Sequence, residues 1–278
     1  MNPWLVIDVS YLCYRAFYTT KDLSWKGKAT GTIFGFLKSI TALKDQFATD
    51  TVAFCFEHPH LLRRDIYPAY KAHRHAKQRS PLEEQALKGL REQIKSLRKD
   101  YLPRIGFKNV FCSDGYESDD IMAAIAFSAP KEQDVVLVTA DADLWQCLRS
   151  NVSIWNPQKQ KLQTKAWFFG EYGFSPRLWA EVKALAGCNG DGVEGIPRVG
   201  EKTACKMVIS SAVLPKEQSQ IYHRNFPLVR LPFEDCPVPR LQQDKISKQG
   251  WIEVCGELGM KSLAGKVPVS TRSYGRES

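Results

Sequence analysis

Acidic residues close three apolar, β-type runs of this chain. Asp8 ends Trp4-Leu5-Val6-Ile7-Asp8, Glu57 ends Val52-Ala53-Phe54-Cys55-Phe56-Glu57, and Asp141 ends Val135-Val136-Leu137-Val138-Thr139-Ala140-Asp141, with Asp143 two residues on. A fourth group, Glu117-Ser118-Asp119-Asp120, follows the Gly115-Tyr116 turn and opens an apolar helical stretch. Carboxylates are hard oxygen donors, and Mg²⁺ is bound through them, usually beside phosphate. Gathered without a cation they repel: one like-charged pair 4 Å apart costs about 4 kcal/mol at an effective dielectric of 20. Each group also has an ordinary reading. Glu117 and Asp120 share a helix face in a first turn, which suits the helix dipole. Asp141 and Asp143 suit a helix cap, and Asp8 or Glu57 a routine strand end. These readings must hold separately at every place, whereas one sheet topology gathers all the acids, so the joint pattern points to a divalent-metal centre.

The elements needed to gather them are legible. Residues 4–8, 51–57, 109–112 and 134–140 read as strands. Residues 31–47 carry Ile33, Phe36, Leu37, Ile40, Leu43 and Phe47 at helical spacing. Ser80-Pro81-Leu82-Glu83 has capping-box form with proline at the first helical position. The helix it opens places Leu87, Leu90, Ile94, Leu97 and Tyr101 on one face, with Lys88, Arg91, Lys95, Arg98 and Lys99 off it. A helix is expected after Tyr116 and another after Asp143. Strands alternating with helices predict an α/β fold with a mainly parallel sheet, whose ligand crevice lies outside the carboxyl ends of the strands. From about 165 to 210 the pattern is helical and broken by glycine-rich turns. After about 214 proline is frequent, and short helices and loops are expected, ending in a mobile tail at 268–278.

The 278 residues are 44% hydrophobic and 25% charged, an ordinary globular balance. Net charge is nevertheless +9, so the basic residues must lie away from the acids and form a positive surface suited to nucleic acid or another polyanion. The eight cysteines include no Cys-x-x-Cys pair, which argues against structural zinc and for reduced thiols in an intracellular compartment. No secretory signal and no apolar stretch of membrane-spanning length is visible.

Two further segments suit a nucleic-acid partner. Arg63, Arg64, Lys71, Arg74, Lys77 and Arg79 are interleaved with Tyr67 and Tyr70 against one acid, Asp65; cations neutralise phosphates and tyrosine faces stack on bases, though a charge run is as often a solvated loop. His58, His60, His73 and His75 also lie here, and exposed loop histidines are far commoner than metal ligands. Gly195-Ile196-Pro197-Arg198-Val199-Gly200-Glu201-Lys202-Thr203-Ala204 stands between helical stretches with the spacing of a helix–hairpin–helix element. There the N–H groups of the second helix, with Lys202 and Thr203, can hold a phosphate.

In this order, these residues resemble the 5′-nuclease family, the flap endonucleases and 5′→3′ exonucleases of bacteriophages and bacterial DNA polymerases. The matching pieces are Ile7-Asp8 with Tyr14-Arg15-Ala16, Phe56-Glu57 with Arg63, Tyr67-Pro68-Ala69-Tyr70-Lys71-Ala72-His73-Arg74, Tyr116 to Asp120, Thr139 to Leu144, and Gly187 to Ala204. The resemblance implies a PIN-like nuclease domain at 1–165 with a helical, basic arch at about 58–100. It also implies a helical DNA-binding region at 166–278 with the helix–hairpin–helix at about 180–210. It implies two Mg²⁺ ions, with Mn²⁺ as a substitute. Asp8, Glu57, Glu117, Asp119 and Asp120 hold the first, and Asp141, Asp143 and Asp191 the second, Asp119 lying between them. Lys71 and Arg74 contact the scissile phosphate at the base of the arch. DNA is gripped through Arg15, Arg63, Tyr70, Gly195, Arg198, Gly200, Lys202 and Thr203, with K⁺ on carbonyls of the hairpin. The activity implied is metal-dependent hydrolysis of DNA at 5′ ends, flaps or junctions, by a monomer in the cytoplasm or nucleoid and not at a membrane.

Two departures stand out. Glu57 occupies a position where the family usually has aspartate. Gly187-Cys188-Asn189-Gly190-Asp191 has a thiol where the family pattern Gly-Asp-x-x-Asp has its first carboxylate, and a thiol is a poor Mg²⁺ ligand. They keep open a DNA-binding protein of weakened activity, alongside a PIN-type ribonuclease and, with less support, a phosphotransferase using Asp141 and Asp143.

Overall fold

The computed structural model describes residues 2–76 and 79–268, without the side chains of residues 75 and 76. Lys77 of the basic run and the expected tail beyond Pro268 lie outside the described residues. The central sheet is made of β1 (Trp4–Asp8), β2 (Thr51–Cys55), β3 (Asn109–Phe111), β4 (Val135–Val138), β5 (Val152–Asn156) and β6 (Lys161–Gln163). Its order is β3-β2-β1-β4-β5-β6. All neighbours run parallel except β5 and β6. This is the mainly parallel α/β sheet that the sequence predicts. Leu5, Val6 and Ile7 are wholly buried, because β1 has a strand on each side and helices on both faces; hence its unbroken apolar run.

The chain first builds outward from β1 to β2 and β3, then returns to lay β4 on the other side of β1. The crevice where the order reverses lies between the carboxyl ends of β1 and β4. The strands stop earlier than their apolar runs. Asp8 pairs with Cys55, and Ile7 with Val138, at the ends of the ladders. Glu57 and Asp141 therefore lie past the hydrogen-bonded strands and are free to turn into the crevice. The helix expected after Asp143 is a short 3₁₀ segment, Ala142–Cys147.

Helix α1 (Val9–Thr20) starts directly from β1, and α2 (Gly31–Phe47) occupies the stretch its apolar spacing predicts. Helix α3 (Pro81–Ser96) begins with the expected capping box: the Glu83 amide donates to Ser80 Oγ and the Ser80 amide to Glu83 Oε2, at 3.3 and 2.9 Å. Helix α4 (Ser118–Ser128) packs its alanine- and isoleucine-rich faces under the sheet.

Helices α5 (Trp179–Ala186) and α6 (Glu201–Ile209) flank a tight turn. At Gly195 a Cβ would come within 2.2 Å of the Ala186 carbonyl group, and at Gly187 (φ +78°) within 2.3 Å of the Gly195 nitrogen. The two glycines are what let the turn close, tied by Ile196 N–H to Leu185 O at 2.8 Å.

After α7 (Lys216–Val229), a 14-residue helix longer than the proline pattern suggests, the chain returns to the first core as an extended strap. Asp244 meets Lys44 at 3.5 Å and accepts from the amides of Val52 and Lys108. Helix α8 (Lys248–Glu257) then inserts Trp251 and Val254 into the core that holds Leu5, Ile7, Phe36 and Phe54. This return is absent from the sequence reading, because its anchors pair across most of the chain. No helix among the described residues is long and apolar enough to cross a membrane.

Candidate metal centre

At the crevice one hydroxyl spaces two carboxylates. Asp8 caps α1 through a 3.0 Å bond from the Tyr11 amide, and its second oxygen accepts from Thr139 Oγ1 at 3.1 Å. The same Thr139 oxygen accepts from the Asp141 amide at 3.1 Å, while Asp141 Oδ1 accepts from the Asp143 amide at 2.8 Å. Thr139 is fully buried and thus ties the ends of β1 and β4 together. Asp8, Glu57, Asp119 and Asp141 line one open cavity of about 490 Å³ with Glu117, Lys71, Arg74 and Arg79. Tyr11, Tyr14 and His73 also face it. Sequence reading missed Thr139, whose only signal was a hydroxyl at a strand end, and left Tyr11, Tyr14 and Arg79 without a place at the site.

Among the described residues, no cationic side chain lies within ion-pairing distance of Asp8, Glu57, Asp119 or Asp141. Burial, then the charges of Asp141 and Glu57, push Asp8 up to about 6. Burial, then Asp141 and Asp8, raise Asp119 well above the ordinary carboxyl value. Asp141 opens to the cleft but is also raised, first by desolvation among the dense cleft walls and then by Asp143. These all-oxygen donors, repelling one another with no protein cation between them, fit a hard divalent ion.

Glu117 and Asp120 have a different setting. Arg63 grips Asp120 with two bonds, 2.6 and 2.7 Å, and Glu117 with one at 3.1 Å. The Asp120 oxygens also accept from the amides of Glu117 and Phe233, at 3.0 and 2.7 Å. Asp120 is wholly buried and does not line the cavity. The structure thus places it behind the site, with its acceptor capacity used by the fold, unlike the first-ion ligand that the resemblance implies. Arg63 is 2% exposed and also donates to the carbonyls of Leu228 and Arg230; it is a buried counter-ion and not a surface DNA contact. Tyr70, also 2% exposed, donates its hydroxyl to Glu117 at 2.6 Å and has no face free for a base. Desolvation would raise Glu117, but Lys71, which bonds its Oε1, and Arg63 hold it below the ordinary range.

Lys71 reaches this position with φ +56°, a left-handed conformation costing a side-chain-bearing residue about 1–2 kcal/mol. Its amide donates to Asp191 O at 2.7 Å, which ties the Tyr70–Lys71 segment to the Gly187–Asp191 loop. Arg74, half exposed, donates to Asp191 Oδ1 at 2.9 Å.

The second acidic group is Asp143, Cys188 and Asp191, whose ligand atoms lie within 4.8 Å of one another. It already contains a cation: Lys183 Nζ is 2.8 Å from Asp143 Oδ1. Cys188 Sγ donates to Asp143 Oδ2 at 3.6 Å, and burial, then Asp143, push the thiol up to about 12. Lys183 was not foreseen, since a lysine in a helix's last turn has an ordinary reading.

Among the residues expected to grip DNA, Arg198, Gly200, Lys202 and Thr203 are exposed at the turn and the start of α6, with Gly195 half-buried behind them. Arg15 is exposed on α1 and does not line the cavity.

The family model for the 5′-3′ exonuclease N-terminal, resolvase-like domain matches residues 3–173. The chain belongs to this 5′-3′ exonuclease family. It is 32% identical over 217 residues to a 5′-3′ exonuclease of Bacillus subtilis, covering 74% of this chain and 70% of that one. It is 34% identical over 207 residues to the thermostable DNA polymerase I of Thermus thermophilus, covering 73% of this chain but only 23% of the polymerase. The chain thus spans about a quarter of the length of the polymerases it matches. In fold it is similar to the bacteriophage T5 5′-exonuclease solved with bound zinc ions, with a TM-score of 0.70, 18% identity and coverage of 96% and 97% of the two chains. A T5 flap endonuclease variant in complex with DNA and metal ions gives the same score, with 18% identity and coverage of 97% and 100%.

Proposed function

We propose that this chain is a structure-specific 5′ nuclease that hydrolyses DNA phosphodiesters at 5′ ends, flaps or junctions. The observation that carries the reading is a cleft floor of carboxylates that, among the described residues, has no cation within ion-pairing distance, beneath a rim of cations in the same cavity. The 5′-3′ exonuclease of B. subtilis and the T5 structures with DNA and metal ions support it. Asp8, Glu57, Asp119 and Asp141 would hold Mg²⁺, with Mn²⁺ as a substitute. When bound there, the ion supplies Lewis-acid stabilisation of charge on the phosphoryl oxygens.

The chain's own groups do the remaining work. Arg74 has donors to spare beyond Asp191 and reaches from the rim to a phosphate oxygen. Lys71 is held beside Glu117 and Asp191, where its charge offsets that of a phosphate entering the cleft. The exposed start of α6, with Arg198, Lys202 and Thr203, holds the DNA backbone away from the cut, with K⁺ on carbonyls of the Gly195–Gly200 turn. The division of labour is a catalytic part at 1–165 with its arch at about 58–100, and a gripping part beyond 166, in a protein that acts as a monomer.

Cleavage of a 5′-flap DNA and a matched RNA is compared in Mg²⁺ and in EDTA, beside Asp119→Asn. Mg²⁺-dependent cutting of the DNA near the junction, lost in the variant with flap binding retained, is expected. Faster cutting of the RNA would favour a ribonuclease, and tight flap binding without cutting in Mg²⁺ or Mn²⁺ would leave a binding protein.

A further inference from the structure

The two acidic groups of the cleft differ in whether a second divalent ion fits. We propose that the Asp143–Cys188–Asp191 group uses the Lys183 ammonium as a built-in cation, so that this protein binds one divalent ion strongly and not two. The inference deepens the nuclease reading and rests on it.

Three observations converge. Lys183 Nζ sits 2.8 Å from Asp143 Oδ1, with both side chains only 15% exposed. Such a pair is costly to open, because a partner left behind is a buried, uncompensated charge. Second, the remaining donor toward Asp143 is the Cys188 sulfur, 3.6 Å from Oδ2. Sulfur is soft and selects soft metals, whereas Mg²⁺ and Mn²⁺ select oxygen. Third, Asp191 is already engaged, by Arg74 at 2.9 Å and Lys71 at 3.5 Å. Two carboxylates face Lys183 and Arg74, so formal charge in the group is balanced without any metal. A hard ion entering here would have to displace Lys183 and accept a sulfur ligand. At the neighbouring floor it would displace no cation. Helix α5 fixes this arrangement: Lys183 lies one turn before Gly187, where the helix ends and the loop carrying Cys188 turns back.

Bound Mn²⁺ is counted by the loss of the free-ion electron paramagnetic resonance signal. Wild type, Cys188→Ala, Asp119→Asn and the double variant Cys188→Asp/Lys183→Met are compared, each checked for a single cooperative unfolding transition. The expected counts are one tight ion for wild type and for Cys188→Ala, none for Asp119→Asn, and two for the double variant, the second at least tenfold tighter than any second ion in wild type. Two ions of similar affinity in wild type would overturn the proposal, as would a double variant that still binds one. A Cd²⁺ ion gained by wild type and lost in Cys188→Ala would overturn it too, by making the group a soft-metal site. No tight Mn²⁺ in wild type would overturn both this inference and the metal-centre reading. Two ions with DNA cleavage intact would overturn this inference alone.

Discussion

Asp119 and Asp120 are adjacent in sequence and occupy opposite electrostatic settings. Asp119 faces the cavity with Asp8 and Asp141, and its carboxyl is raised by burial and like charge. Asp120 turns away, wholly buried, and receives two bonds from Arg63 and two from backbone amides. The front of the cleft is left with excess negative charge and the back is neutralised. Acidity in the sequence is therefore divided between binding and support. The back wall holds α4, the segment carrying Arg63 and the strap near Phe233 in fixed relation, so that the front acids stay close despite their repulsion.

The largest effect is expected from the back. Arg63→Met takes the counter-ion from buried Asp120 and leaves Glu117 with Lys71, which costs about 3–5 kcal/mol. Urea unfolding should show that loss in metal-free and metal-loaded protein alike; a loss under about 1 kcal/mol would mean that Arg63 is not the support described.

Next is the pH response of metal-free protein. Asp8, in the front, and Asp244, on the strap, have folded values of about 6 against an ordinary 3.8, burial being the first cause in each. Between those values the folded state holds more protons than the unfolded, so stability falls as pH rises through that window and is regained as it is lowered. From pH 7 to 5 the gain should be on the order of 1 kcal/mol for each carboxyl. Glu117, held low, contributes stability that is lost only below the ordinary carboxyl range, outside this window. Unfolding midpoints in EDTA at pH 7 and 5 test this, and Mg²⁺ should remove the share of Asp8 and leave that of Asp244, which does not line the cavity; a midpoint that falls at pH 5 would contradict the sign.

Asp119→Asn sharpens the same contrast, since it removes a repelling charge. It should stabilise the metal-free protein, because burial and the charges of Asp141 and Asp8 disfavour its ionised form, whereas Asp120→Asn should destabilise it. Equal signs would erase the distinction between front and back. Smallest is Lys202→Ala on α6, far from either set of acids. DNA binding should weaken equally for unrelated sequences, and the salt slope should drop by about one. A change that depends on sequence would argue against a backbone grip.

The sheet and the residues that meet at its crevice were legible because strand ends are local in sequence. An apolar run closed by an acid needs only a parallel topology to gather its acids. What stayed hidden depends on distant partners. Arg63 and Tyr70 look like part of a nucleic-acid-binding run, and nothing nearby reveals that Asp120, Glu117 and the Leu228 carbonyl bury them. Asp120 carries the same side chain as Asp119, and only the helix phase and the position of Arg63 separate them. Lys183 reads as a helix-end lysine until Asp143 is set across from it. Cys188 was legible as a departure, but not the cation beside it.

The returning strap has a consequence for the order in which the chain is made. Leu5 and Ile7 are synthesised well before Trp251 and Val254 of α8, which complete their core. At about 5–20 residues per second, the first strand waits on the order of ten to fifty seconds for its last packing partner. Until then the sheet that spaces Asp8 from Asp141 has one face incomplete. A chain stopped before α8 would carry every acid of the crevice and lack the packing that holds them at their distances.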